Sequence, residues 1–257
     1  MKKLIFGIYF IMLGLFVFAQ TADEIMEKTK QKISFKSMGT RSKIEIQKDG
    51  KTLTALLIDQ YSSKDSNGLQ RTLIEFKEPA NAKGIRFLIT EQKNGSVSQR
   101  GYLPKLGKVQ RFSAENQGNE SFMGTDFSFN DISFLNRDSK LDTYKILREE
   151  ELHGKICYVI EASPKDKKYI YSKTILWVEK NDNVLFKAEF YDTDSVLKKV
   201  MEFLNYKAVS GINTPHITKL TTVNLNTSTI IHLEKIQYGM TIPEGVFTTK
   251  YLETGKR

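Results

Sequence analysis

Only a few side-chain arrangements in this sequence could support catalysis, and each of them lacks part of what the chemistry requires. Ser195 and Lys198 have the Ser-x-x-Lys spacing of a nucleophile and its base, but they follow a turn at the start of a predicted strand. On a strand the two side chains project differently than on the helix that this chemistry requires. Gly50-Lys51-Thr52 has the last residues of a phosphate-binding loop, yet Glu45 stands at the position of its earlier glycine. The sequence therefore gives little support to a hydrolase or a nucleotide-binding enzyme.

Metal-binding and thiol chemistry find equally little support. The three histidines, His153, His216 and His232, are far apart and lack metal-ligand spacing. Cys157 is the only cysteine, so it cannot form an internal disulfide, and its apolar neighbours predict a small core residue. Asp192-Thr193-Asp194 is typical of a tight acidic turn. We therefore expect a protein that is not an enzyme and that uses neither a metal nor a cofactor.

One stretch, from Tyr102 to Asp131, concentrates aromatic side chains beside a glycine and acids. Its first part predicts a strand that ends at Pro104 and a short strand over Val109–Phe112. A polar loop over Ala114–Glu120 follows. The next residues, Ser121 to Phe127, place apolar side chains directly beside a glycine and an acid. A buried aromatic segment held by polar contacts is the physical interpretation of this stretch.

Polar residues of the same stretch suggest how the segment is held. Thr125 or Asp126 is predicted to cap a short helix whose apolar members would be Phe127, Ile132 and Leu135. An ion pair between Asp126 and Arg111 would brace the loop. Gly124 would allow a positive φ angle or a close backbone approach. The aromatic residues are equally consistent with an ordinary core, and none of these roles requires a ligand.

The rest of the chain predicts one amphipathic helix followed by many strands. Thr21–Ile33 has apolar residues at helical spacing on one face. The strands recur at regular spacing with turn signals and without crossover helices between them, which predicts an antiparallel sheet. They are predicted over 43–47, 53–60, 69–76, 85–90, 97–103, 144–151, 156–162, 169–179, 184–192, 196–203, 217–225 and 230–238.

Several of these strands have one apolar face and one more polar face, a pattern typical of a sheet packed on one side. The apolar faces are assigned to Val184, Phe186, Ala188 and Phe190, to Leu197, Met201 and Phe203, and to Tyr171, Ile175 and Trp177. Such a sheet can curl into a half-barrel with the helices as a lid over an apolar hollow. Alternatively, it can close over its own side chains and leave no hollow. Composition does not separate these two arrangements.

The first 19 residues have the features of a signal peptide. Lys2 and Lys3 precede an apolar run over Leu4–Phe18, and Ala19 provides the cleavage site. An uncleaved membrane anchor is the alternative, although the run is shorter than the roughly 20 residues that span a bilayer. Residues 20–257 would then form a single domain. The net charge of +9 is compatible with contact to anionic lipid surfaces or with simple solubility.

Four spaced elements of the aromatic stretch resemble the signature of a known family. They are Tyr102-Leu103-Pro104, Val109-Gln110-Arg111, Ser121-Phe122-Met123-Gly124-Thr125-Asp126-Phe127 and Asp131-Ile132. Together they resemble the outer membrane lipoprotein-sorting family, which is related to the periplasmic lipoprotein carrier LolA. The resemblance implies a mainly β fold with a few helices. In it, a curved antiparallel sheet forms an incomplete barrel closed by a helical lid around an apolar cavity.

The resemblance also implies a function and a site. The protein would be a periplasmic carrier that holds the acyl chains of a lipoprotein or lipid and takes it towards the outer membrane. Its partners would be the cargo, an inner-membrane transporter, an outer-membrane acceptor and, transiently, the membrane surface, but no nucleic acid. An envelope sensor or regulatory interaction module of the same fold is the alternative. The cavity and lid residues would be Ile25, Met26, Tyr102, Phe122, Met123, Phe127, Trp177, Phe186, Phe190, Met201 and Phe203, with Arg111, Gly124 and Asp126 bracing the loop. Alternatively, Arg111 would meet a headgroup of the cargo.

Overall fold

A computed structural model describes residues 20–32, 35–93, 97–112, 121–134 and 137–256. The predicted signal peptide, the polar loop over Ala114–Glu120 and Leu135 lie outside these residues. Thirteen strands form a single antiparallel sheet in the order β6-β5-β4-β3-β2-β1-β13-β12-β11-β10-β9-β8-β7. The strands are β1 Ser37–Lys48, β2 Lys51–Lys64, β3 Gln70–Glu78, β4 Arg86–Glu91, β5 Val97–Leu103, β6 Lys108–Phe112, β7 Asp142–Leu152, β8 Lys155–Pro164, β9 Lys173–Glu179, β10 Leu185–Tyr191, β11 Leu197–Val209, β12 Ile212–Thr222 and β13 Thr227–Tyr238.

The sheet is curved and remains open, with β6 and β7 as its two edge strands. Its centre is the pair formed by β1 and β13, where Lys48 lies opposite Thr227. Two hairpin turns meet at this point, because the Asp49 N–H donates to the Asn226 carbonyl and Asn226 Nδ2 donates to Asp49 Oδ1, at 3.0 and 2.6 Å. Asp49 and Gly50 both have positive φ angles, as a tight hairpin turn requires. The predicted antiparallel half-barrel is thereby confirmed.

Alternation along the strands divides the sheet into an inner and an outer face. The inner face has two apolar clusters, one on each side of the central strands. The amino-half cluster comprises Ile44, Ile46, Leu56, Ile58, Ile74, Phe76, Ala82, Ile85, Phe87 and Phe122. The carboxyl-half cluster comprises Ala22, Ile25, Phe127, Ile160, Ala162, Tyr171, Leu176, Val178, Ala188, Phe190, Met201, Phe203 and Leu220.

Two short helices pack on the inner face. Helix α1 (Ala22–Lys32) begins at a capping box, in which the Glu24 N–H donates to Thr21 Oγ1 and the Thr21 N–H donates to Glu24. Its Ile25 is fully buried in the carboxyl-half cluster. Helix α2 (Phe129–Phe134) begins after Ser128, whose Oγ accepts the Asp131 N–H at 3.2 Å. The prediction that Thr125 or Asp126 caps this helix is therefore wrong, because both residues bind elsewhere.

The C-terminal residues form an additional element on the outer face. We call residues 239–256 the strap; it contains a 3-10 turn (Glu244–Phe247) and helix α3 (Thr249–Thr254). Val246, Phe247 and Leu252 of the strap bury Leu73 and Leu88 of β3 and β4. Polar contacts add to this packing, since Arg86 Nη1 donates to the Leu252 carbonyl at 2.7 Å. The outer face of the amino half is thus covered by the chain's own end.

Candidate functional site

Residues 121–134, which we call the plug segment, lie across the inner face and connect its two clusters. Phe122 enters the amino-half cluster, with its ring 4.7 Å from that of Phe87, whereas Phe127 enters the carboxyl-half cluster. Ile132 packs against both clusters. A tight turn between the two phenylalanines turns the chain, because Met123 and Gly124 have positive φ angles. The plug segment therefore fills the middle of the curved sheet with its own apolar side chains.

Asp126 anchors the middle of the plug segment to the sheet. Its carboxylate accepts hydrogen bonds from the hydroxyl groups of Thr222, Thr227 and Thr229, at 2.6 Å from Thr222 and 2.9 Å from Thr229. The Asp126 N–H donates in turn to Thr229 Oγ1 at 2.8 Å. Hydrogen bonds to an ionised carboxylate are among the stronger ones in proteins. The negative charge is thus held by neutral donors from β12 and β13.

A second anchor is a buried ion pair between Asp131 and Lys199 of β11. The Asp131 carboxylate is 1% exposed and lies 2.5 Å from Lys199 Nζ. It also accepts the Ser128 N–H at 2.7 Å and the Tyr171 hydroxyl at 2.6 Å. Lys199 Nζ donates as well to the Asp126 carbonyl at 2.6 Å, so one ammonium holds both parts of the plug segment. A buried charge pair with this many hydrogen bonds is satisfied only while the segment stays on the sheet.

Tyr171 remains a hydrogen-bond donor to this pair at physiological pH. Burial raises the pKa of its phenol far above the ordinary value, and the neighbouring Asp131 charge raises that pKa further. Its ring also packs 4.9 Å from that of Phe190, which places the phenol at the boundary of the carboxyl-half cluster. The anchor therefore combines an apolar contact and a polar contact in one side chain.

Gly124 lies in the turn of the plug segment, and it was predicted to allow either a positive φ angle or a close backbone approach. Its φ angle is +77°, and a side-chain carbon added there would meet nothing within 4 Å. The positive φ angle is therefore the role that the structure supports, whereas the close backbone approach is wrong. Thr125 is buried and donates its hydroxyl proton to the Phe122 carbonyl at 2.6 Å. These local contacts fix the turn that separates the two phenylalanines.

Most of the predicted cavity and lid residues lie on the inner face. Phe190, Met201, Phe203 and Ile25 belong to the carboxyl-half cluster, together with Phe127 of the plug segment. Three further predicted residues are placed by the same two clusters. Met26 packs against the carboxyl-half cluster. Phe122 belongs to the amino-half cluster, and Met123 packs against that cluster.

Three predicted cavity residues lie on the outer face instead. Trp177 packs with Cys157, Val159 and Ile175, because Leu176 and Val178 are the inner-facing residues of β9. Phe186 joins this outer group, since a register shift in β10 between residues 185 and 187 turns it away from Ala188 and Phe190. The third correction concerns the other half of the sheet. Tyr102 packs against the cluster that the strap covers.

Arg111 does not brace the plug segment as predicted. It lies exposed on the edge strand β6, opposite Arg100, while the threonines and Lys199 hold Asp126. The sequence does indicate a partner for Lys199, because this lysine shares a strand face with Met201 and Phe203. A lysine at alternate spacing with buried apolar residues is unusual unless its charge has a partner.

Two cavities in the described part of the chain lie away from the inner clusters. One is an open surface groove of about 560 Å³ between α1 and the start of β7, lined largely by charged and polar residues such as Glu27, Lys140 and Lys165. The other, of about 50 Å³, lies under the strap beside Tyr61 and Pro243. The inner face itself is occupied by the plug segment.

The described residues add little catalytic potential. Within the described ranges, no cluster of histidine, cysteine and acidic residues could hold a metal ion. In that same part of the chain, no helix combines the length and the apolar character needed to cross a membrane. Burial raises the pKa of the Cys157 thiol to about 11, which keeps it protonated and unreactive. Ser195 lies in a positive-φ turn, and Lys198 pairs with Asp192 at 2.9 Å instead of with Ser195.

Comparison with known proteins identifies relatives of the fold. A family model with the description "uncharacterized protein" matches residues 68–254. No curated protein matches the chain in sequence. Among solved structures, the chain is similar to a domain from Vibrio parahaemolyticus that is assigned to outer membrane lipoprotein sorting. The identity is 25% and the TM-score 0.82, over 90% of this chain and 98% of that one.

Two further structures resemble the chain in fold. A DUF1329 family protein from Desulfovibrio piger is 24% identical, with a TM-score of 0.82 over 90% of this chain and 97% of that one. A LolA superfamily protein from Nitrosomonas europaea is 19% identical, with a TM-score of 0.71 over 91% of this chain and 100% of that one. At these identities the similarity establishes the architecture, namely an open, curved sheet with short helices on its inner face.

Proposed function

The family model that matches residues 68–254 is that of the DUF1329-like family, to which the chain therefore belongs, and we propose that the protein is a non-enzymatic periplasmic carrier of an amphiphile. The cargo would be a lipoprotein or a free lipid, whose acyl chains bind to the inner face of the sheet and travel with the protein towards the outer membrane. The assignment of the Vibrio parahaemolyticus domain to lipoprotein sorting supports this proposal. Fold likeness alone does not assign a function, so the proposal depends on the site.

The observation that carries the proposal is how the inner face is filled. Two apolar clusters of an open sheet are bridged by one short segment, which contributes Phe122, Phe127 and Ile132. That segment is attached mainly through side-chain contacts to Thr229, Lys199 and their neighbours, and not as a strand of the sheet. An acyl chain offers the same apolar contacts as these side chains. We therefore expect cargo and plug segment to compete for the inner face.

The energetics allow such a competition. Each buried methylene gains about 0.8 kcal/mol, so a chain of about sixteen carbons gains on the order of 12 kcal/mol before ordering costs are subtracted. Displacing the plug segment exposes its aromatic side chains and leaves Asp131 and Lys199 to be resolvated. These opposing terms would set an affinity that holds the cargo in water and still permits release at an acceptor.

The expected pathway follows from the proposed location. Residues 1–19 would be removed as a signal peptide, and residues 20–257 would act as one domain in the periplasm. The sequence has no nucleotide-hydrolysis motif, so energy for loading would come from a partner. An inner-membrane transporter would load the carrier, and an outer-membrane acceptor would unload it.

The proposal is tested by binding of a fluorescent sixteen-carbon fatty acid, together with mass spectrometry of lipids that copurify with the protein. Wild-type protein should bind the probe. Asp126→Ala removes the acceptor of three threonine hydroxyls, so the plug segment leaves more readily and the apparent Kd should fall about tenfold. Thr222→Val removes one of these donors and should give a smaller change in the same direction.

A matched control separates the anchor from charge effects. Asp194→Ala removes an exposed aspartate from a turn and should leave the Kd unchanged. The carrier proposal fails if the wild type, Asp126→Ala and Thr222→Val all bind no probe and copurify with no lipid. Stable capture of an envelope protein by such lipid-free protein would then favour the alternative of a sensor or regulatory module.

A further inference from the structure

Large apolar side chains are exposed predominantly at one end of the sheet. Because the strands are antiparallel, their turns fall alternately at two ends. We call the end that contains the turn between Thr222 and Thr227 the plug end, since both threonines hold Asp126 there. Eight large apolar side chains are exposed in the described part of the chain. Six of them lie at the plug end, namely Leu53, Leu106, Leu141, Val196, Val223 and Leu225.

Strand pairing fixes this grouping. Lys48 lies opposite both Lys51 and Thr227, so the β1–β2 and β12–β13 turns are neighbours. Thr222 lies opposite Lys199, which brings the β10–β11 turn to the same end. Leu53 and Leu225 are 65% and 59% exposed there. The two remaining exposed residues lie elsewhere, Ile156 at the opposite end and Leu147 within the edge strand β7.

Basic residues accompany these apolar side chains. The plug-end segments 48–54, 79–85, 103–108, 138–142, 164–172, 192–198 and 222–227 contain ten lysines and six aspartates. Asp142 pairs with Arg137, which lies outside these segments, and Asp192 pairs with Lys198, which is one of the ten lysines. The segments share the positive balance of the whole chain, whose net charge is +9. Apolar side chains among lysines are the combination that binds an anionic membrane surface.

We propose that the plug end docks on an anionic lipid bilayer, with its exposed leucines and valines inserted between the headgroups. A bilayer suits this surface better than a protein partner does. The six apolar residues are divided among five turns or strand ends, with only Val223 and Leu225 sharing one, whereas protein interfaces bury a contiguous core. Separate side chains can each insert into a fluid surface. This inference deepens the proposed carrier function and rests on it for its purpose, because docking would bring the anchors of the plug segment beside the membrane.

Vesicle co-sedimentation tests the inference without cargo. Full-length protein is exported to the periplasm of an expression host, and its N-terminus is identified by mass so that all variants compared share the same one. Vesicles are phosphatidylcholine alone or equal parts phosphatidylcholine and phosphatidylglycerol. Wild-type protein should sediment with the anionic vesicles and less so at high salt, where charges are screened. The double variant Leu53→Ser, Leu225→Ser should bind them about tenfold more weakly.

The matched control uses the exposed apolar residues that lie elsewhere. Leu147→Ser, Ile156→Ser should bind the anionic vesicles within twofold of wild type. Equal loss in both double variants, equal binding to neutral and anionic vesicles, or no binding by the wild type would overturn the inference. Fatty-acid binding that persists while vesicle binding fails would remove only this inference. Vesicle binding without any fatty-acid binding would remove the carrier proposal and leave the docking surface.

Discussion

The two ends of the sheet are stabilised in different ways. At the plug end, a buried ion pair and a group of threonine hydroxyls hold a separate segment on the inner face, and apolar side chains stay exposed on the turns. Towards the opposite end, the strap covers apolar side chains such as Tyr61, and an ion pair joins Arg71 to Glu244. Local hydrogen bonds within turns do not distinguish the ends. Glu179 accepts the N–H groups of Asn181 and Asp182 at the opposite end, and Asp192 accepts those of Asp194 and Val196 at the plug end.

The strap and the plug segment therefore differ in whether a ligand could replace their contacts. Phe247 and Leu252 of the strap pack on the outer face, where they bury Leu73 and Leu88 of the sheet. The plug segment instead combines apolar contacts that a hydrocarbon could supply with polar anchors that a hydrocarbon cannot supply. Displacement of the plug segment would therefore disturb the rest of the fold less than displacement of the strap would.

The largest expected effect comes from breaking the buried pair. Lys199→Met leaves Asp131 buried without its cation, so we expect a loss of about 3–5 kcal/mol in the free energy of unfolding. The double variant Lys199→Met, Asp131→Asn removes both charges and should regain most of that loss. Urea denaturation of the three proteins measures both effects.

A control at the opposite end sharpens the comparison. Lys180 pairs with Glu149 at 2.6 Å, but both side chains are exposed there. Lys180→Met should leave the free energy of unfolding nearly unchanged, because exposed pairs contribute little. If Lys180→Met and Lys199→Met were equally destabilising, the plug end would have no special role in holding the segment.

Much of this architecture was predictable from local patterns. All thirteen strands correspond to predicted runs, because turn residues such as Asp49-Gly50 and alternating faces act over a few residues. Faces were assigned less well. Trp177 was assigned to the inner face but lies on the outer face. The register shift near Phe186 moves that side chain to the outer face as well, and no residue type in the sequence indicates the shift. A bulge reverses alternation, so a strand pattern is reliable only between bulges.

The anchors were not predicted because they depend on contacts distant in sequence. Asp126 meets Thr222 and Thr229 across about a hundred residues, and no local pattern relates them. The motif around Phe122 predicted that the segment was special but paired Asp126 with Arg111. In the structure, threonine hydroxyls hold the Asp126 carboxylate and Lys199 pairs with Asp131. The strap was missed as well, since its covering role depends on where β3 and β4 lie.

An intermediate effect is expected from alkaline titration. Burial raises the pKa of Tyr171 at the plug end and of Tyr206 near the opposite end. A raised folded-state pKa stabilises the fold below the unfolded value of about 10, and this contribution is lost as pH rises above that value. We expect each tyrosine to contribute a slope of about 1.4 kcal/mol per pH unit there. Tyr171→Phe and Tyr206→Phe should each flatten the pH profile of unfolding by that amount.

The same two variants distinguish the ends at neutral pH. Tyr171 donates to the charged Asp131, whereas Tyr206 donates to the neutral Leu185 carbonyl. Tyr171→Phe should therefore cost about 1.5–3 kcal/mol, and Tyr206→Phe only about 1 kcal/mol. Equal costs would indicate that the phenol contributes to the plug anchor by packing and not through its hydrogen bond to the carboxylate.

The smallest effect on stability is expected where the effect on membrane binding is largest. Leu53, near the start of β2, and Leu225, in a turn, are both exposed at the plug end, so the double variant Leu53→Ser, Leu225→Ser should change the free energy of unfolding by less than about 0.5 kcal/mol. The control Leu147→Ser, Ile156→Ser should change it equally little. Two pairs that match in stability and differ in vesicle binding would separate docking from folding. A marked loss of stability only in the plug-end pair would instead show that these leucines support the fold, and their exposure would then need no membrane to explain it.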